Sequence, residues 1–250
     1  MPGPEATLNP LQFPDGSASY TSPSGAQVLA SINGPIEFHR RDAQRPDEAG
    51  IEVVVKPSVG QSGVGERHAE SIIRQVLSRI VLKRERGMAR NGIVVTLVVM
   101  RNQANDGKVS DRGTSSLPIL PSLLNAALLA LLAASVPLSM TCTAVLIAVT
   151  SDNRLLRDPS RTEIAEATSL HAIAISSTGR LLLGIDEGDF DMDIYDSVYE
   201  LAEASCLPGV VGKDGDSDMT GADQEPLETF VRHVVEDKIR EDLSWKIAAA

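Results

Sequence analysis

This chain is poor in the residues that staple, ligate or attack. Its 250 residues hold two cysteines, Cys142 and Cys206, far apart, with no CxxC and no Cys/His spacing suited to zinc. That excludes a disulfide framework and fits a reducing cytosolic or nuclear compartment. The four histidines, His39, His68, His171 and His233, form no HExxH, and no GxSxG nucleophile elbow occurs. Positive charge is also short. Against 34 Asp and Glu there are 23 Lys and Arg, a net charge of -11, so the whole chain is no nucleic-acid magnet. Any RNA contact must come from a local basic patch or from basic partners. The first residues, MPGPEATLNP, lack a basic n-region and an apolar h-region, so no signal peptide is expected.

A different absence invites error. No charged residue lies between Gly113 and Ser151, which on hydropathy alone suggests a membrane span. Pro118, Pro121, Pro137, Asn125 and many Ser and Thr argue against one spanning helix. The better parse is a buried helix from about Ser122 to Ser135, stopped near Pro137, then a β-branched strand from Thr141 to Thr150.

What is present reads as mixed α and β, with 42% hydrophobic residues giving ample core. Asp15-Gly16 marks a tight turn before an alternating strand from Val28 to Ile32, which Gly34-Pro35 interrupts. Ile51 to Lys56 is a second strand, and Ile93 to Met100 a nearly continuous β-branched one. Glu66 to Arg86 carries Ile72, Ile73, Val76, Leu77, Ile80 and Val81 at helical spacing. Residues 102–116 are polar and read as a loop. Hairpins turn at Ser151-Asp152-Asn153 and Ser177-Thr178-Gly179. An amphipathic helix spans Met192 to Ala204, and a last helix runs from Pro226 to about Ile247. Residues 1–14 are expected to be a flexible N-terminus. Lys213 to Glu225 (KDGDSDMTGADQE) is acidic and without apolar anchors, hence a disordered insertion within one domain spanning residues 1–250.

The order DGSA, VLASINGPIE, EVVVKPSVG, then SLLNAALLALLAASVPL and DPSRTEIAEA, resembles the RNase PH-like subunits of the eukaryotic RNA exosome ring. Each motif is short; their order carries the likeness from about Asp15 to the last helix. The resemblance implies an α+β fold, the RNase PH fold (ribosomal-S5-domain-2-like), with mixed sheets packed around a buried central helix. One departure stands at the start. The family often has an arginine two places before Asp-Gly, where this chain has Phe13-Pro14.

Phosphorolysis attacks a phosphodiester with inorganic phosphate, so two anions must meet. The site needs fixed cations and backbone donors for phosphate, and acids for a metal or a proton. Active family members place Thr-Arg or Ser-Arg just before the central helix, where helix-terminus amides and a guanidinium hold phosphate. Here the segment reads Leu117-Pro118-Ile119-Leu120-Pro121-Ser122, with Ile119 about where the arginine should be. Active members also carry two aspartates after the DPS-like loop. Aligned on Thr178-Gly179-Arg180, those positions fall on Ile164 and Leu170. Aliphatic side chains neither coordinate a metal nor exchange a proton, so the expectation is no catalytic residue, no metal and no cofactor. A register shift of one would bring Glu163 or Glu166 in as substitutes and give an active phosphate-dependent 3′→5′ exoribonuclease.

Other clusters have plainer readings. Asp186, Glu187, Asp189, Asp191, Asp193 and Asp196 have calcium-like spacing but lack the EF-hand glycine and closing glutamate. They read as a solvated loop and helix N-terminus, where acids favour the dipole. His171 reads as a packed or hydrogen-bonded strand residue. Among the cations, Arg84 and Arg86 read as a solvated face. His39-Arg40-Arg41 and Arg45 lie in a loop that, by the resemblance, faces the ring's central channel, where arginines grip single-stranded RNA. Only Phe38 accompanies them for stacking. Arg67, at a helix start, is the second RNA candidate. The resemblance thus implies a non-catalytic structural subunit supporting 3′→5′ RNA processing and degradation. Its partners would be other RNase PH-like and cap subunits, a catalytic exoribonuclease subunit and RNA in the channel, in nucleus, nucleolus and cytoplasm, with no membrane.

Overall fold

The computed structural model describes residues 3–37, 48–85, 87–88, 91–102, 116–209 and 225–247. Two sheets sandwich one apolar helix. The first sheet has five strands in the order β1-β2-β3-β5-β4: β1 (Glu5–Leu8), β2 (Gly16–Thr21), β3 (Gln27–Glu37), β5 (Asn91–Arg101) and β4 (Gly50–Pro57). All its pairings are antiparallel except β4 with β5. The parallel pair is joined through α1 (Val64–Ile80), as a parallel connection requires. The second sheet is β7-β6-β8-β9: β6 (Cys142–Val149), β7 (Leu155–Arg157), β8 (Ser169–Ser176) and β9 (Leu181–Gly188).

Between the sheets runs α2 (Leu120–Ala133), preceded by a 3-10 turn at Leu117–Ile119. Apart from Ser122 and Asn125 its residues are apolar, and it is buried through its first twelve positions, as a helix covered on every side must be. No helix among the described residues is long and apolar enough to cross a membrane. Asn125 is the polar residue at its centre. Its amide donates to the Ala144 carbonyl and accepts from the Ala144 N–H, each at 2.9 Å. Every residue of β6 is buried. Cys142 and Ala144 join the core around α2, Leu146 packs with Leu117 and Ala172, and Val145, Ile147 and Val149 pack with α4 (Met192–Cys206).

Several local expectations change. Residues 5–8 are not a loose end: they form β1, paired with β2 from Glu5↔Thr21 to Leu8↔Ala18. The pairing satisfies backbone groups that a four-residue polar-apolar alternation hides in sequence. Gly16 is not a turn residue but the first residue of β2; a β-carbon there would lie 2.3 Å from the Ala134 backbone nitrogen, so the glycine lets the end of α2 approach. Asp15 accepts the Gly34 N–H at 2.8 Å. Strand β3 does not stop at Ile32; it runs through Gly34-Pro35 with an irregular register between Asn33 and Ile36. Helix α1 ends at Ile80, not Arg86, because Val81 bridges to Leu138 and Leu82 N–H donates to the Pro137 carbonyl. The DPSRTE segment forms a short helix, α3 (Arg161–Glu166). The last helix divides at Leu243 into α5 (Leu227–Asp242) and α6 (Ser244–Ile247). The proposed insertion falls on residues 213–225, of which all but Glu225 lie outside the described residues.

Candidate functional site

The 3-10 turn before α2, the start of β8 and helix α3 converge where the resemblance implies phosphorolysis. Ile119 is 1% exposed and belongs to the main core. Leu117, Leu146 and Ala172 form a small apolar cluster, and Ile164, Leu170 and Ile185 pack against it. Ile164 and Leu170, the two positions aligned with the aspartates, thus pack against one apolar cluster, apart from Ile119 in the main core. Such surroundings disfavour any bare charge.

The two nearby glutamates both lie on α3. Glu163 reaches back to accept the Ser160 N–H at 2.6 Å, closing a capping box at the start of α3. That job explains a glutamate three residues after Ser160. Glu166 is exposed at the far end of the same short helix.

On the opposite face of β8 lies a hydrogen-bonded array that sequence reasoning left unassembled. Ser169 Oγ sits 2.9 Å from His171 Nε2, and His171 Nδ1 sits 2.7 Å from Asp186 Oδ1. In the neutral ring, Asp186 accepts from Nδ1–H and the Ser169 hydroxyl donates to Nε2. The order of groups is that of a serine hydrolase, but Ser169 and His171 are both fully enclosed, at 2% and 0% exposure. Phe190 meets the imidazole edge-on at 4.8 Å, with Tyr195 beyond. A nucleophile closed off from solvent has no substrate path, so the array fastens β8 to β9 and to the start of α4. His171 is a hydrogen-bonded strand residue, as the sequence reading holds. Of the acids that follow, Asp191 occupies the N-cap position of α4 without a side-chain capping bond, and Asp193 lies in its first turn. Among the described residues no group of three potential ligands is placed to hold a metal. The thiols are inert: burial pushes Cys142 up to about 12 and Cys206 up to about 11, so both stay protonated at neutral pH.

Of the basic RNA candidates, only Arg67 lies among the described residues. Arg40, Arg41 and Arg45 lie outside the described residues, but the ends of their loop, Glu37 and Glu48, stand at the N-terminal end of β4. Arg67, in the first turn of α1, stands beyond the C-terminal end of that strand. Eight residues of β4 at about 3.3 Å each put roughly 26 Å between the two ends. Arg67 is 75% exposed at its side chain and only loosely paired with the buried Glu70, at 3.5 Å. Arg74 is exposed, Arg79 donates to the Leu182 carbonyl, and Arg84 pairs with Glu48 at 2.9 Å.

Two exposed cations missed in sequence lie near the strand ends on the C-terminal side of β4. Lys56 is the last residue but one of β4 and Arg101 the last of β5; both are exposed, and the parallel register Lys56↔Val98 and Pro57↔Val99 puts both strand ends on the side from which the chain leads on to α1 and Arg67. The signal was the parallel pairing, which no local pattern announces. A separate cavity of about 590 Å³ lies between the end of α2 and α5, lined by Leu132, Met140, Val231 and Val235 with Glu228 and Arg232.

No family model matches the chain. It is 26% identical over 242 residues, covering 94% of the chain and 96% of the relative, to the exosome complex component RRP46 of Saccharomyces cerevisiae. It is 31% identical over 157 residues to the exosome complex exonuclease RRP46 homolog of Oryza sativa, covering 63% of the chain and 59% of the relative. In three dimensions it resembles the crystal structure of rice Rrp46, with a TM-score of 0.68 and 28% identity over 79% of the chain and 85% of that chain. It also resembles an Archaeoglobus fulgidus exosome with RNA bound to the active site, at a TM-score of 0.61 and 16% identity, over 80% of this chain and 83% of that one. The chain is homologous to the RRP46 proteins and has the RNase PH-like fold.

Proposed function

We propose that this chain is a non-catalytic subunit of an RNA exosome ring. It builds the ring with other RNase PH-like and cap subunits, helps line the RNA channel, and leaves cleavage to a catalytic exoribonuclease subunit. The observation that carries the reading is the end-to-end likeness to yeast RRP46, 96% of that protein's length; the apolar packing of Ile119 in the main core and of Ile164 and Leu170 against a second cluster supports its non-catalytic part. Within the ring the chain takes the place of the subunit called exosome component five in animals. Two buried free thiols fit work in the nucleus, nucleolus and cytoplasm.

The plant relatives are named exonucleases, which keeps phosphorolysis as the rival reading. The capping bond of Glu163 and the exposed position of Glu166 count against it. The deciding experiment pairs two measurements. Gel filtration at high salt should carry this chain with exosome subunits, and the purified chain given single-stranded RNA and phosphate should release no nucleoside diphosphate above background. Elution without exosome subunits sinks the assembly; phosphate-dependent release sinks the non-catalytic part.

A further inference from the structure

Where β7 runs into the α3 loop, a buried arginine and an aspartate whose side chain is 14% exposed leave hydrogen bonds unfinished. Arg157 is 7% exposed, and its Nε and Nη2 have no partner; the Oδ2 of Asp158 has none either. Nε and Oδ2 stand 3.5 Å apart, too far and too poorly aimed for a direct bond. Asp158 is held there by its own backbone, whose N–H donates to the Leu146 carbonyl at 2.9 Å with φ at 50°. The pair cannot close by rotation of a loose loop.

A buried donor or acceptor left unmade is costly, and native proteins meet that cost with a third group. The third group must accept from two N–H bonds on one edge of a guanidinium and donate to a carboxylate oxygen. An anion fails the second requirement and is repelled by Asp158; a metal cation fails the first and is repelled by Arg157. The pair is neutral as a whole, which favours a neutral ligand. Two atoms 3.5 Å apart can both contact one oxygen at ordinary hydrogen-bond length. We infer that Arg157 and Asp158 form a binding site for a single internal water, which accepts from Nε–H and Nη2–H and donates to Oδ2. Three hydrogen bonds are the usual complement of such a water. The site sits among groups that also need a fixed polar environment: the Tyr20 hydroxyl and the Cys206 thiol both lie within the electrostatic reach of Arg157 and Asp158. The water thus completes a polar nest between β2, β7 and α4.

The test is a crystal structure of the full chain at a resolution that shows ordered water, with a second crystal soaked in bromide. One oxygen within about 3.2 Å of Nε, Nη2 and Oδ2, with no bromide signal there, is the expected result. A direct Nε–Oδ2 bond with no density between the groups overturns the inference, and so does a bromide peak at the site. In solution, magnetic relaxation dispersion should count one fewer long-lived water in Asp158→Leu than in the parent; an unchanged count also overturns it. Should Asp158→Leu not fold, Arg157→Met takes the same measurement, and the parent crystal decides the matter alone.

Discussion

Asn125 presents its side-chain amide to Ala144 as one strand presents its backbone to another, accepting the N–H and donating to the carbonyl, both at 2.9 Å. The central helix is thereby registered against β6 by a polar clamp in an otherwise apolar interface. That register sets where the 3-10 turn, and so Ile119, meets β8. Replacing Asn125 by Ala strands two buried backbone groups, at about 1–3 kcal/mol each before relaxation. We expect Asn125→Ala to lose about 2–4 kcal/mol in urea denaturation of the chain. A loss under about 0.5 kcal/mol would mean that water replaces the clamp freely.

Gly16 has the opposite role, a place where the absence of a side chain is used. A β-carbon there would meet Ala134 nitrogen at 2.3 Å and its β-carbon at 2.5 Å. Gly16→Ala must therefore push β2 away from the end of α2, at about 1–3 kcal/mol as for other overpacked cores. Thermal unfolding measures it, and an unchanged midpoint would show that the two elements separate without resistance.

Glu163 separates the two readings of the site. As a helix cap, its removal costs about 0.5–2 kcal/mol and changes no chemistry. Phosphate-dependent RNA cleavage by Glu163→Ala should match the parent, both at background. A parent activity that vanishes in the variant would make Glu163 a catalytic residue.

Asp158 gives the molecule a pH dependence of unusual sign. Burial pushes its carboxyl up to about 6 from an ordinary 3.8, with partial relief from Arg157. The native state then holds a proton that the unfolded chain has released. Its stabilising contribution is complete below the ordinary value and is lost as pH rises through about 6. Asp158→Asn keeps the shape and tolerates the left-handed backbone. Stability of the parent relative to this variant should fall as pH is raised from about 4 to 7, read by denaturant titration at each pH. A difference that is flat or rises would show that the carboxylate is well solvated in the native state.

Much of the fold is written in local periodicity. Helix α2 and strand β6 follow from the uncharged stretch and its prolines, and the β6–β7 and β8–β9 hairpins follow from their turn residues. What escaped reading depends on partners distant in sequence. Strand β1 exists because β2 offers it a ladder, Gly16 is small because α2 ends against it, and α1 stops at Ile80 because Pro137 and Leu138 claim the next residues. The site shows the same division. Ile119, Ile164 and Leu170 are proposed from likeness to known motifs, whereas the Ser169–His171–Asp186 array required the β8–β9 register and the basic end required the parallel β4–β5 pair.

That basic end supplies the sharpest test of RNA contact. Lys56, Arg67 and Arg101 gather at one end of the first sheet, and the loop bearing Arg40, Arg41 and Arg45 leaves from the other. Each phosphate held on a single strand releases roughly 0.7 of a counterion, so losing three contacts flattens the salt slope by about 2. Reversing Lys56, Arg67 and Arg101 to Glu in an assembled ring, and separately Arg40, Arg41 and Arg45, asks which end the RNA touches. If RNA threads past both, each triple variant flattens the slope by about 2 and weakens binding alike across sequences, because phosphates carry no base information. If only one end is touched, one variant binds like the parent, and the RNA path lies at the other end. The isolated chain, with a net charge of -11, should show neither effect strongly. Parent-like affinity and slope from both variants would leave the subunit a structural role alone.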